Sequence, residues 1–233
     1  MSGTLALVGS GEFTTQLERV DRCLLEATGC PRPRVAVLPT ASAPEGDEVF
    51  LRWAEMGSAH FGALGAEVEQ VLVRTRADAN DPVWEQAIGE ADLVYLSGGK
   101  PSVLRATLDG TRVGAAIVEA NRRGAVVAGS SAGAVFMGER LFRLRRRPRF
   151  VRWDEAMGLV PGTVVAPHYN AIPEPFLVLL ALRAPRGCVM VGIDENTALV
   201  GREGTWRVMG EGRVTMWRGR HRTRHRDGDL VRL

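Results

Sequence analysis

A serine framed by glycines, Gly129-Ser130-Ser131-Ala132-Gly133, is where the chain could do chemistry. A short apolar run, 125–128, precedes it and reads as a buried strand, and residues spaced like the first turns of a helix follow. Gly-x-Ser-x-Gly between a strand and a helix is the pattern of a nucleophile elbow. A serine held at so tight a turn projects its hydroxyl above the sheet edge, and small neighbours let the turn close. The first N–H groups of the following helix lack intrahelical partners and can receive a developing oxyanion. A glycine-rich turn with an incidental serine has the same composition. The readable strand and helix on either side favour the nucleophile.

A serine nucleophile needs a base, and the chain has 4 histidines. His60 lies in a helical stretch, and His221 and His225 lie in a basic C-terminal segment. His168 ends a predicted strand, from which sheet geometry can bring it to Ser131. A lone histidine there is as readily structural. The imidazole in turn needs an acid to orient it and stabilise its charged form. Glu195, at another strand end, is best placed; Asp194 beside it and Glu12 after the first strand are rivals.

The elements that must position these residues follow from the apolar pattern. Strands are predicted at 5–8, 35–38, 68–73, 93–96, 125–128, 163–166, 189–193 and 197–200. Helices are predicted at 14–27, from Phe50 to Leu64, from the Asp81 cap with Pro82 at its first position, over 102–123 with a break near Gly110, and over 174–183. Such alternation predicts an α/β fold with a mostly parallel, doubly wound sheet flanked by helices. Ligands then bind beyond the carboxyl ends of the strands, where the loops at Gly9, Pro39, Gly98 and Ser131 should converge. Gly9-Ser10-Gly11 is an incomplete dinucleotide fingerprint, because its third glycine would fall at Thr14. Runs 206–209 and 214–217 flank Gly210-Glu211-Gly212 as a C-terminal β-hairpin. With no repeat, linker or second core in view, one domain is expected over 1–233.

Composition narrows the class. An apolar content of 45% with 24% charged residues is that of a globular protein. No apolar run is long enough to span a bilayer, and the N-terminus lacks a signal peptide's basic start and apolar core, so a cytoplasmic protein is expected. Cys23, Cys30 and Cys188 form no Cys-x-x-Cys, so neither a disulfide framework nor a metal site is expected. Of 30 basic residues only Lys100 is a lysine.

Several blocks resemble a known family. Gly-Ser-Gly-Glu at 9–12, Leu-Ser-Gly-Gly at 96–99, Gly-Ser-Ser-Ala-Gly-Ala at 129–134, Gly-Leu-Val-Pro-Gly at 158–162, His168 and Gly-Ile-Asp-Glu-Asn-Thr-Ala at 192–198 look like serine peptidase family S51. That family comprises dipeptidase E and the cyanophycinases, on a class I glutamine-amidotransferase-like fold. The resemblance covers roughly residues 4 to 200. It implies Ser131 as nucleophile, His168 as general base and Glu195 as orienting acid, with Gly98, Gly99 and the Ala132 N–H as oxyanion hole. It implies no cofactor, and as substrate a small peptide or isopeptide cleaved next to an aspartyl-type residue. Lys100, Asn170 and Asn196 are candidates for contacts with that substrate.

The departures bear on the substrate. Cyanophycinases typically carry Gly-Gly-Asp-Gln where this chain has Gly98-Gly99-Lys100-Pro101, and Asp-Gln-His followed by an arginine where it has Ala166-Pro167-His168 and Ile172-Pro173-Glu174-Pro175. Cyanophycin is therefore not the expected substrate. Positive charge nevertheless sits nearby, in Lys100 and in an arginine-rich run over 140–152 that could line the site or form a solvated flap. Arg218, Arg220, Arg222, Arg224 and Arg226 alternate, as on one face of a charge-protected edge strand. An amidotransferase-like enzyme is a second reading, disfavoured by serine in place of that fold's usual cysteine. A catalytically inactive binding protein on the same fold is a third. No membrane partner is expected, nucleic acid is disfavoured, and a homodimer is admissible.

Overall fold

The computed structural model of the protein describes residues 2–144 and 151–233. The first half alternates as the sequence predicts: β1 (Leu5–Val8), α1 (Glu18–Ala27), β2 (Arg34–Leu38), α2 (Asp47–Ala63), β3 (Glu67–Gln70) and α3 (Pro82–Glu90). Then follow β4 (Leu93–Leu96), α4 (Pro101–Leu108), α5 (Arg112–Arg123), β5 (Val126–Ser130) and α6 (Ala132–Met137). Local chemistry sets the boundaries. Asp81 caps α3 by accepting the Val83 N–H at 2.9 Å, with Pro82 behind it. Thr111 caps α5, so the predicted 102–123 helix becomes two. The predicted 14–27 helix opens as a 3-10 turn, Thr15–Leu17, before α1.

The second half comprises β6 (Gly138–Leu144), β7 (Val151–Glu155), β8 (Val160–Ala166), α7 (Glu174–Leu182), β9 (Val189–Ile193) and β10 (Thr197–Arg202). It closes with β11 (Thr205–Gly210), β12 (Arg213–Arg218), β13 (His221–Arg226) and β14 (Leu230–Arg232). The strands form two sheets, one in the order β14-β11-β10-β1-β5-β4-β2-β3 and one in the order β13-β12-β9-β8-β6-β7. In the first, β1, β5, β4, β2 and β3 are parallel, and β10, β11 and β14 add on antiparallel.

Strand alternation divides the first sheet's packing between its two faces. Leu5, Leu7, Ala36, Leu38, Val94, Leu96 and Val127 join one core with α3, α4 and α5. Their neighbours Ala6, Val8, Val35, Val37, Leu93, Tyr95, Val126 and Ala128 join the other, with α1 and Phe61 of α2. This is the doubly wound arrangement.

The second sheet, which the apolar pattern did not separate from the first, has a cluster of its own on one face. Val164, Ala166 and Met190 pack with Leu177 and Leu180 of α7 in a cluster of their own. Its strands β6 and β7 hide their alternation behind arginines. Asp154 of β7 is buried, and Arg143 and Arg152 partner it. The rest of the arginine-rich run, 145–150, lies outside the described residues.

The C-terminal hairpin also falls elsewhere than predicted. Runs 206–209 and 214–217 belong to β11 and β12, which pair in different sheets. Gly210-Glu211-Gly212 therefore carries the chain between sheets, and Gly210 takes φ +124 where a Cβ would lie 2.3 Å from the Asn196 carbonyl oxygen. The hairpin is β12–β13. Of the five alternating arginines, Arg222, Arg224 and Arg226 lie on the edge strand β13, whereas Arg218 ends β12 and Arg220 sits in the turn.

Candidate active site

Ser131 follows β5 and stands at φ +48, ψ −104, a region that a residue with a Cβ rarely occupies. Its neighbours are glycine for want of room. A Cβ at Gly133 would lie 2.3 Å from the Leu96 carbonyl oxygen, and one at Gly129 would lie 2.5 Å from the Gly133 carbonyl carbon. Close approach of β4, β5 and α6 thus forces the turn that presents the serine.

His168 follows β8 of the second sheet and also has a positive φ, +49. Its Nε2 lies 3.0 Å from Ser131 Oγ and its Nδ1 3.0 Å from Glu195 Oε1. With the carboxylate taking the proton on Nδ1, Nε2 is left to accept from the serine hydroxyl. The hydrogen bond from His168 holds the Glu195 carboxyl below its ordinary range. Glu195 sits where the chain leaves β9 in the second sheet for β10 in the first. The line Ser131–His168–Glu195 therefore spans both sheets. It can pass a proton from hydroxyl to imidazole and stabilise the imidazolium formed.

Asp194 and Glu12 do not reach the imidazole. Asp194 Oδ2 accepts the Arg213 N–H at 2.9 Å, and burial pushes its carboxyl up. Glu12 is buried, taking the Gly98 N–H on Oε1 at 2.8 Å and the Ser130 hydroxyl on Oε2 at 2.6 Å.

Asn170 and Asn196 serve the acid's turn. Asn170 Oδ1 accepts the Glu195 N–H at 2.9 Å, and its Nδ2 donates to Glu195 Oε2 at 3.4 Å. Asn196, at φ +53, donates its N–H to the Ser10 carbonyl at 3.1 Å and its Nδ2 to Glu211 at 3.3 Å. Asparagine tolerates that left-handed conformation better than most residues. Neither the support from Asn170 nor the burial of Glu12 was legible beforehand; each residue's nearness to a strand end was the one available sign.

Gly98 and Gly99 differ in what they can offer an oxyanion. The Gly98 N–H is taken by Glu12. The Gly99 N–H has no acceptor among the described residues, and the Ala132 N–H opens α6 without an intrahelical partner. Lys100 donates its N–H to the Ala41 carbonyl at 2.9 Å, and its side chain is exposed and unpaired among the described residues. Arg140, Arg143 and Arg152 are engaged instead, Arg140 with Glu139 and Glu155 and the other two with Asp154. Among the described residues no group of three His, Cys, Asp or Glu could hold a metal ion.

Residues 5–209 match the model of peptidase family S51. The chain belongs to that family. It is therefore a serine peptidase, and it is 27% identical over 218 residues to the cyanophycinase of Nostoc sp., covering 90% of this chain and 72% of that protein. It is also 27% identical over 222 residues to the cyanophycinase of Synechococcus elongatus, covering 92% of this chain and 67% of that one. Among solved structures, a peptidase from an acI-B1 Actinobacterium superposes with a TM-score of 0.91 at 30% identity, covering 100% of this chain and 98% of its own. A putative peptidase E from Listeria monocytogenes EGD-e, at 19% identity and a TM-score of 0.60 over 97% of this chain and 99% of its own, shares the fold. Among the described residues no helix is long and apolar enough to cross a membrane.

Proposed function

We propose that this S51 peptidase cleaves small acidic peptides or isopeptides through an acyl-enzyme on Ser131, with His168 as base and Glu195 as its orienting acid. The hydrogen-bonded line Ser131–His168–Glu195 carries the reading. Ser131 Oγ attacks the scissile carbonyl while His168 Nε2 takes its proton. The N–H groups of Gly99 and Ala132 receive the oxyanion, and His168 returns the proton to the leaving amine. Water, deprotonated by the same nitrogen, then releases the acid product. Glu195 keeps its charge throughout and steadies the imidazolium. Both sheets act as one unit, because Ser131 hangs from the first and His168 from the second.

Preference for an acidic substrate rests on Lys100, a cation unpaired among the described residues and one residue beyond the Gly99 N–H that would hold the oxyanion. The described arginines of the 140–152 run, Arg140, Arg143 and Arg152, already hold carboxylates of this chain. Absence of the polar residues that cyanophycinases carry beside Gly99 and His168 speaks against cyanophycin itself. The test is a library of α- and β-aspartyl, glutamyl, neutral and basic dipeptides, with Ser131→Ala as control. Release of amino acids from the aspartyl and glutamyl members is expected. Preferential cleavage of neutral or basic members would reject the acidic preference, and turnover by Ser131→Ala would reject the nucleophile.

A further inference from the structure

We infer that Glu12 is a positioning residue for the oxyanion hole, clamping the loop that carries the Gly99 N–H to the strand end that carries Ser131. The inference rests on Ser131 being the nucleophile. Among the described residues, Glu12 is the one buried acid bonded beside the proposed site that the reaction itself does not use. It is 5% exposed, and both of its oxygens are occupied. Oε1 takes the Gly98 N–H from the loop after β4, and Oε2 takes the hydroxyl of Ser130, the residue before the nucleophile. One carboxylate thus spans two neighbouring strands of the sheet, β4 and β5.

The geometry around it leaves little slack. A Cβ on Gly98 would lie 2.6 Å from Glu12 Oε1 and 3.6 Å from Ser131 Cβ, so the loop backbone is pressed between them. Two bonds bracket Gly99: Gly98 N–H to Glu12 on one side, and Lys100 N–H to the Ala41 carbonyl at 2.9 Å on the other. Between these anchors the peptide plane bearing the Gly99 N–H has little freedom, and that N–H stays free for a ligand. Glu12 is itself anchored, since its loop receives the Asn196 N–H on the Ser10 carbonyl at 3.1 Å. A preorganised donor acts mainly in the transition state, so a loosened clamp should slow turnover more than it weakens substrate binding.

The test separates reach from charge. Glu12→Gln reaches both partners, because its carbonyl accepts from the Gly98 N–H and its amide donates to the Ser130 hydroxyl oxygen, which then accepts. Glu12→Asp is one methylene too short to hold both. Glu12→Asp is expected to lower kcat about tenfold to a hundredfold with KM changed less than about threefold, and Glu12→Gln to stay within about threefold of wild type. Affinity for a peptide boronic acid, which forms a tetrahedral adduct, should fall in step with kcat/KM. Ser130→Ala removes one bond and no bulk, and is expected to lower kcat about threefold to tenfold; it decides the matter should Glu12→Asp not fold. Wild-type kcat in Glu12→Asp or in Ser130→Ala, or a Glu12→Gln enzyme as slow as Glu12→Asp, would overturn the clamp. If Ser131→Ala is inactive while the Glu12 variants are normal, this inference alone fails. If Ser131→Ala retains turnover, the reading beneath it fails first.

Discussion

Ser130 and Ser131, adjacent in the chain, engage different partners: Ser130 gives its hydroxyl to buried Glu12 at 2.6 Å, whereas Ser131 lies 3.0 Å from His168 Nε2. The strand ends at Ser130 in regular conformation, and the chain then turns to φ +48 at Ser131. One peptide unit thus separates a serine bonded to Glu12 from one bonded to His168.

The turn depends on Gly133, where a Cβ would lie 2.3 Å from the Leu96 carbonyl oxygen. Gly133→Val should destabilise the fold by at least about 2 kcal/mol through overpacking against backbone. For a chain of this size that is a fall of about 4–8 °C in Tm. Thermal unfolding followed by circular dichroism measures it. An unchanged Tm would mean that β4 and α6 do not approach as closely as described.

Asn170 holds Glu195 at both its backbone N–H and its carboxylate. Asn170→Ala should leave the imidazole less well oriented, lowering kcat about threefold to thirtyfold with KM little altered. Loss confined to KM would instead assign Asn170 to substrate binding.

The lowered pKa of Glu195 gives a pH signature. A carboxylate bonded by His168 favours the folded state once ionised, so its contribution is present above the ordinary value of 4.5 and disappears as pH falls through the lowered one. The stability difference between wild type and Glu195→Gln should therefore be steady near neutrality and shrink in acid. Both side chains are 42% exposed, so the effect is small. Denaturant titrations at a series of pH values test it, and a difference that grows in acid would contradict it.

Lys100→Met tests how acidic substrates are held. A charge-assisted contact is worth about 1.5–3 kcal/mol, or about tenfold to a hundredfold in kcat/KM. Aspartyl substrates should lose that factor and neutral ones should not. Equal losses for both would make Lys100 a residue of the loop rather than of the pocket.

Ser131, His168 and Glu195 were legible as candidates because each follows an apolar strand, but that His168 reaches Ser131 from a second sheet was not. The pairing of β6 with β7 was not legible either, because Arg140, Arg143 and Arg152 interrupt their apolar pattern and the acid that offsets two of them, Asp154, shows as an ordinary charge. The hairpin at Gly210-Glu211-Gly212 misled for a different reason. A short glycine turn between two alternating runs joins strands within a sheet or passes between sheets, and only the pairing of β11 with β10 and of β12 with β9 tells which. Glu12 stood out as an acid after β1. Its contact with Gly98 and Ser130 depends on the order β1-β5-β4, which no single segment encodes.

The most direct test of the Ser131 acyl-enzyme is covalent trapping with a fluorophosphonate, followed by peptide mapping. Phosphonylation is expected on Ser131 alone, absent in Ser131→Ala and at least about a hundredfold slower in His168→Ala. Label on Ser130, or full turnover by an enzyme that resists labelling, would contradict it.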